Sequence, residues 1–257
     1  MAELIEAVLL GLLQGVVDPM PVSSSGHLVL LQHFFGIEQR LTLSVFLHFG
    51  NLLAIILVFR RDIKEIFSFN PRYPRLVKYI IIGILPVGTV GFLLKPFFDR
   101  VFATTIIVGF MLLVTGLVLF TSKYSANKGR DMEEMQLKDA IIVGLAQMLA
   151  LFPGLSRSGM TIVSGLHSGL DRKLAVKYSF LMSVPVVLAA TSLELIEVIQ
   201  TGTGEVGVNM IITGTITAVI SGFAAIKLLQ HIVERQSLFF FAYYCWMLGS
   251  AILAIFL

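Results

Sequence analysis

Two short polar stretches interrupt the apolar sequence of this chain, and their side chains are the ones that could do chemistry. The first, residues 18–27, reads Asp-Pro-Met-Pro-Val-Ser-Ser-Ser-Gly-His, and the second, residues 153–159, reads Pro-Gly-Leu-Ser-Arg-Ser-Gly. Lipid cannot satisfy a broken backbone or a buried charge, so such breaks persist only where they line a cavity inside the protein. Two breaks at corresponding places predict one binding site built from two halves.

The charged residues of the breaks are Asp18, the only carboxylate of the first, and Arg157, the only cation of the second. A charge near the middle of a membrane costs at least about 2.5–3.5 kcal/mol, so the two should pair with each other or face water. A structural ion pair between the two halves is one interpretation, and a functional site is the other. The functional interpretation is favoured because charges inside membranes usually mark sites.

The uncharged residues of the breaks indicate what would bind. Hydroxyls can donate hydrogen bonds, and glycines let the backbone approach a ligand. Short helices starting near His27 and Met160 would direct their N-terminal amides into the cavity. Arginine, hydroxyls and helix N-termini together predict a site for a phosphate-bearing ligand. The hydroxyl and glycine residues concerned are Ser23, Ser24, Ser25, Ser156, Ser158, Thr161, Gly26, Gly154 and Gly159.

Two histidines have two interpretations each. His27 could serve as a general acid or base, the commonest chemical role of histidine, or could merely cap the arm that follows the first break. His48 lies in an apolar stretch near Asn51. It could line the cavity or simply bond to a neighbouring helix.

The composition is that of a helical membrane protein. Of the 257 residues, 56% are hydrophobic and 14% are charged, with a mean hydropathy of +0.90, whereas a soluble domain has about 25% charged residues. The net charge of +3 is not clustered, so we expect no nucleic-acid partner. Cys245 is the only cysteine, and no Cys/His cluster suggests zinc or haem.

Six stretches are long enough to cross a bilayer, which needs about 20 apolar residues. The arms beside each break are too short, so each break is either a re-entrant hairpin or a broken helix that crosses once. With re-entrant breaks and the basic loop 60–78 in the cytoplasm, fifteen basic residues lie inside and three outside; breaks that cross would give ten and eight. The positive-inside rule therefore favours re-entrant breaks and places both termini outside. The six predicted spans lie near 43–60, 76–94, 101–121, 174–199, 208–229 and 238–257.

The chain also contains a weak internal repeat, because a shift of 133 residues superimposes the two breaks without a gap. Each half has one re-entrant pair and three crossings, and an odd number of crossings inverts the second half relative to the first. The predicted fold is therefore an all-α polytopic membrane protein. It forms a single domain over 1–257, with inverted repeats at about 1–133 and 134–257. The matched pairs are Gly11 with Gly144, Gln14 with Gln147, Ser23 with Ser156, Ser25 with Ser158, Gly26 with Gly159 and, at a shift of 131, Gly83 with Gly214 and Gly91 with Gly222.

Over its whole length the chain resembles the undecaprenyl-diphosphatase (bacitracin-resistance) family. The family pattern (E/Q)xxxE running into PVSS-x-GH matches residues 14–27, except that Asp18, followed by Pro19, stands where the family usually has Glu. The second family pattern, PGxSRSxxT, is matched in full by residues 153–161. By this resemblance Gln14 and Asp18 correspond to the acidic motif, and the first loop contributes Ser23, Ser24 and His27. The second loop contributes Ser156, Arg157, Ser158 and Thr161.

The resemblance implies an integral-membrane phosphatase that depends on a divalent cation, Mg²⁺ or Ca²⁺. Its substrate would be a polyprenyl diphosphate of the undecaprenyl type, converted to the monophosphate carrier lipid used in peptidoglycan synthesis. The site would open outside the cell membrane, and the protein would form homodimers. Architecture alone leaves one rival, a transporter or flippase of polyprenyl phosphate, because inverted repeats with breaks near mid-membrane are common among transporters.

Within this interpretation Asp18, Ser24, His27 and Arg157 are the predicted catalytic residues, and Asp18 is also the predicted metal ligand. Arg157 and loop amides would hold the terminal phosphate, while Asp18 would orient Ser24 or a water for attack. His27 would be a general acid or base or, alternatively, the nucleophile, and the sequence does not choose between Ser24 and His27. The predicted substrate-binding residues are Gln14, Ser23, Ser25, Gly26, Gly154, Ser156, Ser158, Gly159 and Thr161.

Overall fold

The fold consists of α-helices, with no β-strand among the residues that the structure describes. The structure is a computed structural model. It describes residues 2–35, 41–68, 73–94, 97, 105–125, 129–201, 206–235 and 238–257. The start of the predicted span 101–121 and residues 202–205, between the predicted spans 174–199 and 208–229, lie outside the described residues. The prediction of an all-α polytopic membrane protein is confirmed.

The helices of the first half are α1 (Ala2–Val17), α2 (Ser24–Phe35), α3 (Leu41–Val58), α4 (Arg60–Phe67), α5 (Pro74–Leu93) and α6 (Thr105–Thr121), the last continued by a 3₁₀ turn over Ser122–Tyr124. Those of the second half are α7 (Leu137–Leu149), α8 (Arg157–His167), α9 (Arg172–Thr201), α10 (Val208–Arg235) and α11 (Phe240–Phe256). In this order α1 and α2 flank the first polar break, and α7 and α8 flank the second.

Four helices in the described part of the chain are long and apolar enough to cross a membrane, namely α5, α6 with its 3₁₀ turn, α9 and α10. A fifth span would combine α3 with α4, which are bent by 77° relative to each other, and α11 is a shorter apolar helix of 17 residues. The predicted count of six spans therefore stays a prediction. The predicted span near 43–60 corresponds to α3. The predicted loop 60–78 is wrong at its start, because the chain turns at Phe59 and residues 60–67 form the helix α4, which has no buried residue.

Helix α4 forms because its sequence alternates charge with apolar residues at helical spacing. Arg60, Arg61, Asp62 and Lys64 share eight residues with Ile63, Ile66 and Phe67. A short helix of this kind can lie along an interface with its apolar side toward lipid and its charges toward water. This explains how a segment rich in charge can be helical without being a span.

The helices beside the polar breaks are too short to cross a bilayer. The longest of them, α1, has 16 residues, which corresponds to about 24 Å at 1.5 Å per residue, against a hydrocarbon core of about 30 Å. The other three have 12, 13 and 11 residues. Each polar break therefore separates two helical arms at the place that the sequence predicts.

Close glycine contacts hold α1 and α7, the helices that precede the two breaks, against the longer helices α10 and α5. A Cβ added at Gly11 of α1 would lie 2.6 Å from the carbonyl oxygen of Gly214 of α10. A Cβ added at Gly144 of α7 would lie 2.5 Å from the carbonyl oxygen of Gly83 of α5. The predicted repeat pairs Gly11 with Gly144 and Gly83 with Gly214, so the two contacts are equivalent in the two halves. This equivalence supports the proposed inverted repeat.

The core lies where α9 packs against α3 and α5. Tyr178 and Phe180 of α9 are fully buried. The Tyr178 hydroxyl donates a 2.6 Å hydrogen bond to the carbonyl oxygen of Tyr79 in α5, and the Phe180 ring stacks on Phe59 at the end of α3. Helix α9 thus holds α3 and α5 through buried contacts with each of them.

An ion pair outside the predicted spans anchors the start of α7. Arg130 donates to both carboxylate oxygens of Asp139, at 2.8 and 2.9 Å, and also to the carbonyl oxygen of Ser168. The Asp139 side chain is completely buried and caps α7 by accepting from the Gln136 amide. The hydrogen bond to Asp139 raises the pKa of Arg130 above its ordinary value, so the guanidinium stays charged.

Candidate active site

The two polar breaks meet inside the helix bundle and are joined by reciprocal hydrogen bonds. The Ser25 hydroxyl accepts from the backbone amide of Gly154 at 2.8 Å, and the Ser158 hydroxyl donates to the carbonyl oxygen of Met20 at 3.1 Å. Ser25 and Ser158 occupy matching positions in the predicted repeat. Equivalent serines of the two breaks therefore each form a hydrogen bond with the backbone of the opposite break, and the two breaks form one structural unit.

Serines also fix where the helices after the breaks begin. The Ser156 hydroxyl accepts from the Gly159 amide at 3.2 Å and caps α8, which starts at Arg157. Ser23 precedes α2 with a φ of 62°, a left-handed conformation that is uncommon for a residue with a side chain. Both helices start three residues before the positions predicted from the sequence, at Ser24 and at Arg157. For α8 the reason is the Ser156 cap, which satisfies an amide of the first turn.

A cavity of about 500 Å³ opens where the breaks and helix N-termini converge. Its volume is within the range of sites for small ligands, about 300–1,000 Å³. Polar side chains from both breaks share its wall with apolar ones. The lining residues are Asp18, Ser23, Ser24, Ser25, Leu28, Ser44, His48, Val108, Ala150, Phe152, Pro153, Leu155, Ser156, Arg157 and Val187.

The predicted pairing of charges is present at this cavity. The Nη2 of Arg157 lies 3.3 Å from Oδ2 of Asp18, and the side chains remain 19% and 17% exposed. The Nη1 of Arg157 is buried and has no hydrogen-bond partner within the described residues. A pair that only held the two halves together would use its donors on the protein, so the spare donor favours a ligand-binding role.

His27 does not line this cavity. Its Nδ1 lies 2.9 Å from the carbonyl oxygen of Ser23, and its Nε2 lies 2.6 Å from the hydroxyl of Tyr244 in α11. The carbonyl can only accept, so Nδ1 carries the hydrogen, and in the neutral ring Nε2 accepts from Tyr244. The two rings also stack, with centroids 5.6 Å apart. In this arrangement His27 supports the left-handed backbone of Ser23, and its role in chemistry stays a prediction.

Several predicted substrate-binding residues hold the breaks in place instead of facing the cavity. Gly154 has a φ of 94°, and a Cβ there would lie 2.4 Å from the carbonyl oxygen of Val108. The Thr161 hydroxyl donates to the carbonyl oxygen of Arg157 at 2.8 Å and lies 2.5 Å from the Ser179 hydroxyl. Neither residue is among those that line the cavity.

The two remaining glycines act by allowing close packing. A Cβ at Gly26 would come within 2.6 Å of the Leu112 side chain, and a Cβ at Gly159 would lie 3.3 Å from Pro21 and from Leu119. Together with the buried Ser158, they bring α2 and α8 against α6 and against the opposite break. Like Gly154, they shape the site without lining its cavity.

Gln14 is buried one turn before the first break. Its carbonyl oxygen accepts a 2.9 Å hydrogen bond from the side-chain amide of Asn51. The Gln14 Nε2 and the Asn51 Oδ1 are both buried without a partner among the described residues. Gln14 therefore lies behind the cavity wall and joins the first break to α3.

Two residues of α3 line the cavity: Ser44, which the sequence did not single out, and His48, for which cavity lining was one of two interpretations. The His48 Nδ1 lies 2.9 Å from the carbonyl oxygen of Ser44, which leaves Nε2 as the nitrogen available to a ligand. Their spacing of four residues is the signal that could have found them, since it places two polar groups on one face of an apolar helix. For His48 the cavity-lining interpretation is the correct one.

A divalent cation fits this site only if the ligand supplies part of its coordination. The described residues contain no group of three or more His, Cys, Asp or Glu side chains that could hold a metal. Mg²⁺, however, is commonly held by one or two carboxylates together with substrate phosphates and water. Asp18, with the hydroxyls of Ser23 and Ser24 beside it on the cavity wall, offers the hard oxygen donors for that kind of binding.

Known proteins match this chain over nearly its whole length. Residues 7–251 match the family described as bacitracin resistance protein BacA. A protein of Halothermothrix orenii named undecaprenyl-diphosphatase is 44% identical to this chain, in a match that covers 98% of this chain and 97% of the length of that protein. Undecaprenyl-diphosphatase of Methanobrevibacter smithii is 40% identical over 96% and 95%, and undecaprenyl-diphosphatase 4 of Bacillus cereus is 37% identical over 98% and 96%. The match covers nearly the whole chain, including both polar breaks, so the chain belongs to the bacitracin resistance protein BacA family.

Proposed function

We propose that this chain is a phosphatase that removes the terminal phosphate of a polyprenyl diphosphate of the undecaprenyl type. The products are the monophosphate carrier lipid and inorganic phosphate. Support comes from the relatives named undecaprenyl-diphosphatase, which match over nearly their full length. The single observation that carries the proposal is the unpartnered Nη1 of Arg157 beside a 500 Å³ cavity that also receives two helix N-termini.

Arg157 and the N-terminal amides of α2 and α8 bind the diphosphate. The guanidinium donates to phosphate oxygens through a planar pair of N–H groups, and the helix N-termini contribute partial positive charge. In phosphoryl transfer the transferred group carries its charge on three equatorial oxygens, so donors fixed around that group stabilise the transition state. Each half of the protein contributes one of these helix ends.

Ser24 is a better candidate than His27 for the residue that attacks the terminal phosphorus or orients the attacking water. Ser24 lines the cavity, whereas both ring nitrogens of His27 are engaged by Ser23 and Tyr244 away from it. The attacking oxygen is therefore that of Ser24 or of a water that Ser24 orients. It forms a bond to the terminal phosphorus while the anhydride P–O bond breaks, and the polyprenyl monophosphate leaves. Attack by water gives inorganic phosphate directly. Attack by Ser24 leaves the phosphoryl group on its oxygen, and a water then attacks that phosphorus, breaks the Ser24 O–P bond, releases inorganic phosphate and restores the hydroxyl. The cavity-lining His48 can accept the proton of the attacking group at its Nε2.

Asp18 would hold Mg²⁺ or Ca²⁺ together with the phosphates of the substrate. When bound, such an ion neutralises charge on the diphosphate and on the leaving group. Asp18 also keeps Arg157 in place through their 3.3 Å contact. The carboxylate would thus contact two positive partners, the Arg157 guanidinium and the ion.

The proposal includes a location and an assembly. The chain is a multi-pass membrane protein, and we place it in the cell membrane with its cavity open to the outer side, as a homodimer. The charge distribution of the sequence supports the orientation, because re-entrant breaks put fifteen basic residues on the inner side. The transporter alternative is not favoured, because the relatives carry the name of a phosphatase.

The test is phosphate release by purified protein from farnesyl diphosphate and from the C55 diphosphate, with and without EDTA. We expect release from the C55 substrate that EDTA abolishes and that added Mg²⁺ or Ca²⁺ restores. A parallel assay of lipid-phosphate flipping in proteoliposomes separates the two function classes. Flipping without any phosphate release would contradict the proposal and support the transporter.

A further inference from the structure

A second polar cavity, of about 240 Å³, lies away from the proposed active site and shares no lining residue with it. It is formed where the end of α3, the first turns of α9 and the last turns of α10 come together. Its charged lining residues are Arg172, Lys173, Lys177, Lys227, Asp62 and Glu234. Four cations against two carboxylates leave the cavity net positive.

Two of these cations are already used by the protein. The Lys177 ammonium pairs with Asp62 at 2.7 Å, and Arg172 donates to the carbonyl oxygen of Val233 at 2.9 Å. These contacts bind the start of α9 to the α3–α4 bend and to the end of α10. They build a wall from three separate segments of the chain and fix its shape.

The other two cations are available. Lys173 and Lys227 are both exposed, and neither takes part in an ion pair within the part of the chain that the structure describes. They extend from different helices to the same cavity, where one acidic residue, Glu234, remains without an ion-pair partner in that same part. Two lysine ammonium groups at one small cavity can bind an anion through two charged contacts at once.

The floor of this cavity is apolar. Phe59 and Val176 are each only 2% exposed and lie beneath the charged rim. Phe59 marks the 77° bend at which the apolar helix α3 gives way to the amphipathic helix α4. Charge above an apolar floor, at the ends of three membrane helices, is the arrangement found at the boundary between headgroups and hydrocarbon.

We propose that this cavity binds the phosphate of an anionic phospholipid headgroup, with Lys173 and Lys227 as its principal contacts. Basic pockets between helices at the cytoplasmic ends of spans suit such headgroups, and the sequence places this end of the helices in the cytoplasm. A free phosphate ion shares the charge of the headgroup. The position of the cavity at the ends of three membrane helices favours the lipid, because a headgroup bound there leaves its acyl chains beside the apolar parts of those helices.

The test measures lipid binding to the purified full-length protein by native mass spectrometry, with phosphatidylglycerol compared with phosphatidylcholine. We expect phosphatidylglycerol to bind in preference and K173A/K227A to weaken it about 25-fold, since one lysine near an anionic lipid contributes about a fivefold factor. K173R/K227R, which keeps both charges, should bind like the unmodified protein. K64A/K138A is the matched control, because it removes two exposed lysines outside the cavity and should leave binding within about twofold.

Three results would overturn the proposal. Equal weakening by K173A/K227A and K64A/K138A would mean that the lipid responds only to overall charge. Unchanged binding in K173A/K227A, with K173R/K227R as the folding reference, would remove the two lysines from the site. Displacement of the lipid by inorganic phosphate at low millimolar concentration would assign the cavity to a free anion instead.

Discussion

Replacing Arg157 by lysine tests the proposed phosphate contact directly. The unmodified side chain presents two terminal nitrogens at the cavity, one 3.3 Å from Asp18 and one buried without a partner among the described residues. Lysine keeps the positive charge but replaces a planar fork by a single ammonium, which cannot serve the carboxylate and a phosphate oxygen in the same geometry. We therefore expect R157K to be nearly as damaging as R157A.

The magnitude follows from the hydrogen bonds that a lysine ammonium cannot form. A hydrogen bond to a charged group contributes about 1.5–3 kcal/mol, and the lysine variant lacks at least one such bond to the phosphate. At about 1.36 kcal/mol for each factor of ten, kcat/KM for phosphate release should fall roughly 10- to 150-fold in R157K. R157A, which removes the charge as well, should lie within about a further tenfold of that value.

The assay is phosphate release from the C55 diphosphate, with thermal unfolding measured on the same preparations. R130K is a matched control, because Arg130 also forms a two-point contact with a carboxylate but lies outside the cavity. It should lower the midpoint of thermal unfolding and leave activity per folded molecule unchanged. Retention of more than a third of the activity by R157K would refute recognition of phosphate by a guanidinium fork. Loss of folding without a separate loss of activity would identify the Asp18 contact as a structural ion pair.

Three further predictions concern the first break, its support and the orientation of the chain. D18N should abolish phosphate release in a folded protein, because an amide cannot replace the charge of the carboxylate. D18E, which restores the usual family residue, should keep or raise phosphate release. Phosphate release by D18N would exclude a role for the carboxylate in catalysis. Y244F should lower kcat several-fold with KM unchanged, because the substitution removes the hydrogen bond that holds His27. Activity and a pH profile that both match those of the unmodified protein would contradict this prediction. A single cysteine at Gly207, in a C245S background, should react with an impermeant maleimide in intact cells, whereas labelling only after lysis would contradict the inverted orientation.

The sequence predicts the positions of the breaks well because polar residues in an apolar chain have few physically acceptable places. Asp18 and Arg157 each had to find a partner or water, and the structure brings them together at a cavity. The same constraint located the helix–break–helix units to within a few residues. These features follow from the cost of leaving charge and backbone unsatisfied in lipid, which does not depend on detailed packing.

The sequence is less informative about which polar side chains face the cavity. Nothing local distinguishes Thr161, which bonds to Ser179 in a neighbouring helix, from Ser24, which lines the cavity. The direction of His27 is set by Tyr244, a residue 217 positions away along the chain. Such orientations depend on tertiary contacts between distant segments, and a motif read along the chain contains no information about them.

The bend after α3 shows a similar limit for the fold. Residues 43–60 are apolar enough for a straight span, and the charges that follow are compatible with a loop. The structure instead ends the helix at Val58 and continues with α4 at 77°. Phe59, buried against Phe180, and Asp62, paired with Lys177, hold the bend through residues of α9.

During synthesis, α1 and α7 differ in how soon the helices that they contact through glycines become available. Helix α7 packs against α5, which the ribosome has already made when α7 emerges. Helix α1 packs against α10, which follows after roughly 190 residues, or about 10–40 s at about 5–20 residues per second. Helix α1 is thus translated first and reaches its main packing partner last. A ribosome that stalls before Val208 therefore leaves a first half that lacks the helix against which α1 packs.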